Sequence, residues 1–278
     1  LRGEEAVDEL NDTILVLIPK VTNPTLLTQF RPISLCNVIY KIIAKSLANR
    51  LKPLLPDFID HAQQAFIEGR RISDNIIIAQ EITHSFALKS WNQLAFMLKI
   101  DLAKAFDRLE WSFIVSALAR KGLHGHFINL IYECISSPTF FVVINGRPSH
   151  KFKSSRGIRQ GCPMSTYLFV IAINELSLAL NEALAAHSLQ GILLGPNCPP
   201  IHSLLFADDL LVCGQATVQE ANAMANIINH FCSISGQTPN WAKSAIMSTA
   251  HVSHAVIQDI KQIFPISNMD ANFSHLSH

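Results

Sequence analysis

Two aspartates stand side by side at Asp208-Asp209, between the apolar runs Ser203–Phe206 and Leu210–Cys213. The runs read as strands, and Ala207-Asp208-Asp209 between them reads as a tight hairpin. Adjacent carboxylates repel, and the pair is tolerated where water screens it or a divalent cation neutralises it. Magnesium takes near-octahedral oxygen ligands, commonly one or two carboxylates plus phosphate oxygens. Two such ions about 3.5–4 Å apart stabilise the attacking and leaving oxygens of an in-line phosphoryl displacement. A third carboxylate would complete the cage, and Asp101 is the candidate. It ends Ala95–Asp101, where Phe96, Leu98 and Ile100 share one strand face and Lys99 and Asp101 the other. Asp101 lies far from Asp208 along the chain, so only a fold can join them. Taken alone, Asp208-Asp209 also reads as a solvated turn.

Other elements must position these groups. The run Ile14–Ile18, stopped by Pro19, is a strand. Val38 to Leu51 places Ile39, Ile42, Leu47 and Leu51 at helical spacing, and Pro53 closes it. Ser73 is a cap for a helix through Ile76, Ile77, Ile82 and Phe86. A helix from about Glu110 carries Arg120 and Lys121 in its last turn, with Gly122 beyond. Thr139–Ile144 is β-branched and aromatic, and Asn145-Gly146 supplies a type I′ turn. Met164 to about Ala186 reads as one long, mostly buried helix, and Ala245–Ser248 as a short strand. Thr217 and Glu220 make a capping box for a helix that Gly236 ends. Strands and helices are mixed without regular βαβ alternation, so the fold class is α+β.

At 278 residues the chain exceeds a typical single domain, which predicts one large domain or two intimate ones. Hydrophobic residues make up 49% and charged residues 15%, which excludes a disordered chain. A formal net charge of +1 means that any polyanionic partner is held by local clusters of cations. Six cysteines without a C-x-x-C pair suit buried thiols better than a disulfide or zinc framework. No uninterrupted apolar run of about 18 residues occurs, so no membrane span is expected. The start lacks a signal-peptide pattern and an initiator Met, which predicts an intracellular, soluble fragment.

Four stretches carry a resemblance. They are Asp101-Leu-Ala-Lys-Ala-Phe-Asp107, Arg159-Gln-Gly-Cys-Pro-Met-Ser165, Phe206-Ala-Asp-Asp209 and Lys243-Ser244. They resemble motifs A, B, C and D of reverse transcriptases, specifically those of LINE-type (non-LTR) retrotransposons common in plants. Ile18-Pro-Lys20, Phe30-Arg-Pro-Ile-Ser-Leu35, Gln64-Ala-Phe-Ile-Glu-Gly-Arg70 and Ile72-Ser-Asp-Asn75 precede them in family order. The resemblance implies the fingers and palm of a right-hand polymerase, with an antiparallel palm sheet backed by helices and the thumb missing. Fingers are expected over 1–95, palm over 96–120, a fingers hairpin and helix over 121–158, palm over 159–250, and a truncated tail over 251–278. The implied activity is RNA-directed DNA synthesis with two Mg2+ ions, or Mn2+ in their place. RNA template, DNA primer and deoxynucleoside triphosphates would be its partners, and the nucleus its location.

By the same resemblance Asp101 and Asp208 are the principal metal ligands, Asp209 supports them, and Lys243 is the general acid for the leaving pyrophosphate. Lys20 and Arg31 would hold the incoming triphosphate, and Phe106 would be the steric gate against a 2′-hydroxyl. Gln160 and Gly161 would contact nucleotide and template. Arg70, Arg71, Lys151, Lys153, Arg156 and Arg159 would hold nucleic-acid backbone. Residue by residue, Phe106 also reads as core, Gly161 as turn chemistry, and the cations as solvated surface. His124-x-His126 and His251-x-x-His254 lack partner ligands and read as loop histidines. Two departures stand out. Thr166 follows Ser165 where the family has proline, and no Tyr-Leu-Gly primer grip follows Phe264-Pro-Ile-Ser267. Rival expectations are an inactive remnant that binds RNA weakly, and a group II intron-type or telomerase-like polymerase.

Overall fold

The computed structural model describes residues 11–88, 90–144 and 146–266, and the backbone of Asn268–Met269. Along the chain run β1 (Asp12–Pro19), β2 (Phe30–Cys36), α1 (Val38–Leu51), α2 (Ile72–Ala87) and β3 (Ala95–Ile100). Then come α3 (Trp111–Arg120), α4 (Gly125–Ser136), β4 (Thr139–Ile144), β5 (Arg147–Pro148), β6 (Phe152–Lys153) and α5 (Ser165–Ala185). The last elements are β7 (Ser203–Phe206), β8 (Asp209–Gln215), α6 (Val218–Ser235), β9 (Ala245–Ser248), α7 (His254–Ile263) and β10 (Asn268–Met269). The chain is α+β and divides into two compact units, Leu1–Leu55 with Phe106–Ile171, and Pro56–Ala105 with Ala172–His278. The expected 1–95 segment is therefore split after Leu55, and the expected 159–250 segment is split inside α5.

In the first unit the strand order is β2-β1-β4-β5, with β6 also on β4. β2 is antiparallel to β1, while β4 runs parallel to β1 with Thr13 opposite Phe140. Pro32 is tolerated within β2 because that strand is an edge. Asn37 caps α1, its Oδ1 accepting from the Ile39 amide at 2.9 Å. The buried stripe of α1 is Tyr40, Ala44, Leu47, Ala48 and Leu51. Ile39 and Ile42, expected inside, are exposed by 49% and 65%. The buried stripe runs the whole helix with two alanines that permit close approach, whereas the isoleucines lie only at its start.

In the second unit the order is β10-β9-β3-β8-β7, so β3 is central and antiparallel to both neighbours. One face of β3 packs Met97 with Ile82 and Phe86 of α2 and with Leu211 and Cys213 of β8. On the other face Phe96 meets Phe264, ring centroids 6.4 Å apart. Burying each such side chain contributes about 1.5–3 kcal/mol. The polar face expected for this strand thus shrinks to its end, at Lys99 and Asp101. The same packing of α2 explains why residues 56–95 belong with this sheet.

Two caps differ from expectation. Ser73 lies inside α2, bonded to Asp74 Oδ1 at 3.3 Å, and Arg71 holds the N-cap position without a side-chain bond. Thr217 Oγ1 does accept from the Glu220 amide, at 3.2 Å. The Glu220 carboxylate, however, accepts from the Gln190 and Gly191 amides, both at 3.0 Å, so the box is half made. By length and composition α5 is apolar enough to cross a bilayer, yet Leu168, Phe169, Ile173, Leu176 and Leu180 are buried within the protein. It is read as a core helix. The pairing of Ile144 with Arg147 leaves a two-residue loop, in which Gly146 has φ +77° and Asn145 lies outside the described residues.

Candidate functional site

The hairpin β7–β8 closes on the pair Phe206–Asp209, so its loop is Ala207-Asp208. Ala207 is left-handed, φ +53°, a conformation that costs a residue with a Cβ about 1–2 kcal/mol. Such strain persists where surroundings over-determine it. Here Gln63 Oε1 accepts from the Ala207 amide at 3.2 Å and from the Ala65 amide at 2.9 Å. The adjoining strand is pinned as well: the Leu205 carbonyl accepts from Gln64 N and Asn75 Nδ2, and its amide donates to the Ala62 carbonyl.

Asp101 follows directly on β3. In the register Ile100 faces Leu210, and one further step sets Asp101 across from Asp209. The stretch after α6 holds this segment by its backbone. Ser244 Oγ accepts from Asp101 N at 3.2 Å, and the Asp101 carbonyl accepts from Asn240 N at 2.7 Å. Thr238 O accepts from Ala103 N at 2.9 Å, and Gln237 Nε2 donates to Ala105 O at 2.8 Å. Asp208 and Asp209 are exposed and Asp101 is half-exposed. Partial burial, then the Asp208 charge, push the Asp209 carboxyl above its ordinary range; Asp101 adds to this and Lys99 opposes it. Asp101 and Asp208 thus both act on Asp209 at one end of one sheet. Oxygen donors of this kind suit a hard divalent cation. Among the described residues, no three His, Cys, Asp or Glu side chains are gathered tightly enough to hold an ion. Lys243 is exposed, next to the Ser244 that holds Asp101.

The remaining expected nucleotide contacts lie in the first unit. Lys20 and Arg31 are exposed, with Lys20 Nζ 3.5 Å from the Thr28 carbonyl. Phe106 is half-buried and stacks on Phe169, centroids 4.7 Å apart at 11°. The Gln160 carbonyl accepts from Ser34 N at 2.9 Å, which brings β2 against Gly161. Gly161 has φ +102°, and a Cβ there would lie 3.1 Å from the Ser34 carbonyl oxygen, so β2 itself already requires glycine. Gly157, which no motif marked, is tighter still: a Cβ would come within 2.5 Å of the Asp107 carbonyl oxygen. A cavity of about 250 Å³ opens beside these residues, lined by Leu15, Pro32, Phe140, Asp107, Arg156 and Gln160 among others.

Two of the expected backbone-binding arginines are committed to the fold. Arg70 donates to the carbonyls of Pro56, Ile59, Asp60 and Gln63 at 2.5–3.3 Å. Arg159 is 6% exposed; it donates to Asn11 Oδ1, Thr13 Oγ1 and Cys134 O, and lies 3.7 Å over the Tyr40 ring. In both, the guanidinium bonds acceptors of the protein itself. Lys151 pairs with Asp12 at 2.5 Å and Arg156 with Glu110 at 3.2 Å, both in solvent and therefore weak. Arg71 and Lys153 are exposed. His124 caps α4, its ring nitrogen accepting from His126 N.

Sequence reasoning passed over two buried glutamines, Gln63 and Gln237, because an amide inside a loop has no spacing signature. It also missed Asp60, whose carboxylate accepts from Ala62 N, Ser177 Oγ and Asn181 Nδ2. Burial works to raise that carboxyl, but these bonds prevail and hold it below its ordinary value.

Residues 18–263 match the family model described as reverse transcriptase (RNA-dependent DNA polymerase). The chain belongs to the reverse transcriptase family. It is 30% identical over 232 residues to the "Transposon TX1 uncharacterized 149 kDa protein" of Xenopus laevis, covering 84% of this chain and 17% of that protein. It is 26% identical over 273 residues to a "Retrovirus-related Pol polyprotein from type-1 retrotransposable element R2" of Popillia japonica, 94% of this chain and 36% of the relative. These relatives place the reverse transcriptase domain with those of non-LTR retrotransposons. The chain spans about a sixth to a third of their length. A telomerase from Candida albicans superposes with a TM-score of 0.59 at 13% identity, over 91% of this chain and 44% of that one. That likeness is one of fold, the polymerase fingers and palm.

Proposed function

We propose that this reverse transcriptase chain is an RNA-directed DNA polymerase that extends a DNA primer on an RNA template with deoxynucleoside triphosphates. The observation that carries the proposal is the placement of Asp101 just beyond β3, across from Asp209 at the start of β8, with Asp208 beside it in the β7–β8 loop. These carboxylates would hold Mg2+, or Mn2+, as ligands. Bound there, two ions would supply charge neutralisation at the transferring phosphoryl group and lower the pKa of the primer hydroxyl.

The chain's own groups do the rest. Phe106, backed by Phe169, keeps a flat ring half-exposed to exclude a 2′-hydroxyl. The exposed Lys20 and Arg31 bind phosphate oxygens, the arginine in bidentate fashion. Lys243 gives its proton to the departing pyrophosphate. Arg71 and Lys153 are the exposed candidates for backbone contacts, while Arg70 and Arg159 also bond acceptors of the protein itself. The wording and order of the motif blocks support a plant LINE as the source, which in turn supports work in the nucleus.

Primer extension on a homopolymeric RNA template with Mg2+ tests the proposal. Incorporation by the chain and none by Asp208→Ala is expected. Equal incorporation by both would defeat the proposal, and incorporation by neither would leave only a non-catalytic RNA-binding remnant.

A further inference from the structure

Gln63 is wholly buried, in the segment between the helical turn Leu55–Phe58 and α2. It pairs as a parallel bridge with Leu205 of β7. The orientation of its side-chain amide is fixed, because Oε1 takes two backbone amides, Ala65 N and Ala207 N. Its Nε2 meets no acceptor among the described residues. A buried amide left half-satisfied costs stability, so a residue chosen only for packing would be apolar. What Gln63 obtains in exchange is a grip on the one strained position of the β7–β8 loop. Ala207 stands immediately before Asp208, and its left-handed backbone sets the direction in which Asp208 leaves the hairpin.

The backbone around the same turn is held from the same segment. Ala62 O, Gln64 N and Asn75 Nδ2 all bond Leu205, and Arg70 bonds the Gln63 carbonyl at 2.7 Å. The anchor of Gln63 is therefore rigid, and its Oε1 is a fixed point against which the loop is set. Partners that orient a metal ligand act on metal affinity through geometry, without touching the ion.

We infer that Gln63 is a positioning residue: through Ala207 it aims Asp208 and Asp209 for joint binding of a divalent cation. The inference rests on the metal-dependent activity proposed above. With the backbone between them fixed, the two carboxylates lose less conformational freedom when an ion arrives. Without Gln63 the loop relaxes toward a right-handed conformation at Ala207, and ion binding must first restore the strained one. Replacing Ala207 by glycine removes the steric part of that requirement.

Mn2+ titration of the full chain, followed by electron paramagnetic resonance, reads this directly, with the Mg2+ dependence of primer extension as a second readout. Gln63→Leu is expected to raise the half-saturating Mn2+ concentration roughly tenfold, the lower end of what loss of a supporting partner does. Gln63→Leu combined with Ala207→Gly is expected to recover most of that loss, which a purely structural role would not allow. Wild-type Mn2+ affinity in a folded Gln63→Leu would overturn the inference, as would a folded double variant that recovers nothing. Where Gln63→Leu alone does not fold, the double variant decides: folding with near-wild-type affinity supports the inference, and failure to fold makes Gln63 a core residue only. A wild-type chain that takes up no Mn2+, with Asp208→Ala indistinguishable from it, removes the proposed metal site itself.

Discussion

Among the described residues two hairpins have two-residue loops, and they are supported at opposite ends. The β4–β5 hairpin is anchored at its root. Asn11 Nδ2 donates to Ser137 Oγ at 2.7 Å, and Arg159 bonds Asn11 and Thr13, whose strand pairs with Thr139 and Phe140. Its outer end is exposed, with Ile144 exposed by 61% and open space around Gly146. The β7–β8 hairpin is instead buried along its strands and braced at its tip by Gln63. Both loops contain a left-handed residue: glycine at a position with open space around it, and alanine where a buried amide holds the backbone. A free tip takes the residue that costs least there. A braced tip can carry strain, and in this chain it carries the strain beside two carboxylates. The difference separates a hairpin that merely reverses the chain from one that presents charge in a set direction.

The contrast is broken most severely at the carboxylates. Asp208→Ala is expected to lower primer extension by roughly a thousandfold or more, the scale on which members of one catalytic unit act. Gly146→Ala, at the other tip, should leave extension unchanged in a steady-state assay. Comparable losses from both would mean that neither tip is special. The next largest effect lies at the root of β4. Arg159→Met strands the acceptors of Asn11, Thr13 and Cys134 inside the protein, and unfolding in urea should show a loss of roughly 3 kcal/mol or more. The same change at the exposed Lys153 should stay within about 0.5 kcal/mol.

How much of this was legible in the residues follows from the kind of signal each part gives. Strands with β-branched or apolar runs and helices closed by Pro53, Gly122 or Gly236 were read close to their observed limits, since local sterics decide them. Asp208 and Asp209 stood out because adjacent like charges between apolar strands are an anomaly, and Asp101 because it ends an alternating strand. What could not be read was the destination of long side chains. Arg70 and Arg159 look like their exposed neighbours in sequence, and only tertiary contacts show that their forks fill with internal acceptors. Ile39 and Ile42 failed for the converse reason: helical spacing marks two candidate faces on α1, and packing selects the one with alanines. Gln63 was invisible because its function depends on a backbone amide that is remote in sequence.

The tips themselves permit a finer comparison. Gly146→Ala forces a side chain into a left-handed turn and should cost about 1 kcal/mol. Ala207→Gly runs the other way and should gain up to about 1 kcal/mol, less the extra freedom that glycine has when unfolded. Equilibrium denaturation of both variants measures the pair. If Ala207→Gly is strongly destabilising, the left-handed turn is not strained and the brace has nothing to hold.

The smallest effect concerns the charge that the braced tip carries. Burial and the neighbouring Asp208 raise the Asp209 carboxyl above its unfolded value, so ionising it opposes folding. Its favourable contribution is complete below the ordinary carboxylate value of about 4 and is lost as pH rises through the elevated folded value. Asp209→Asn, which cannot ionise, should therefore melt above the wild type at neutral pH. The gap should close as pH falls into the carboxylate range, where wild-type Asp209 is protonated. Because Asp209 is exposed to solvent, salt should shrink the difference further, and so should a divalent cation bound between the carboxylates. Melting curves across that range, with and without Mg2+, read all three trends. A wild type that melts above Asp209→Asn at neutral pH without added cation would show that the tip carries no uncompensated charge, and the contrast between the two hairpins would then rest on the backbone alone.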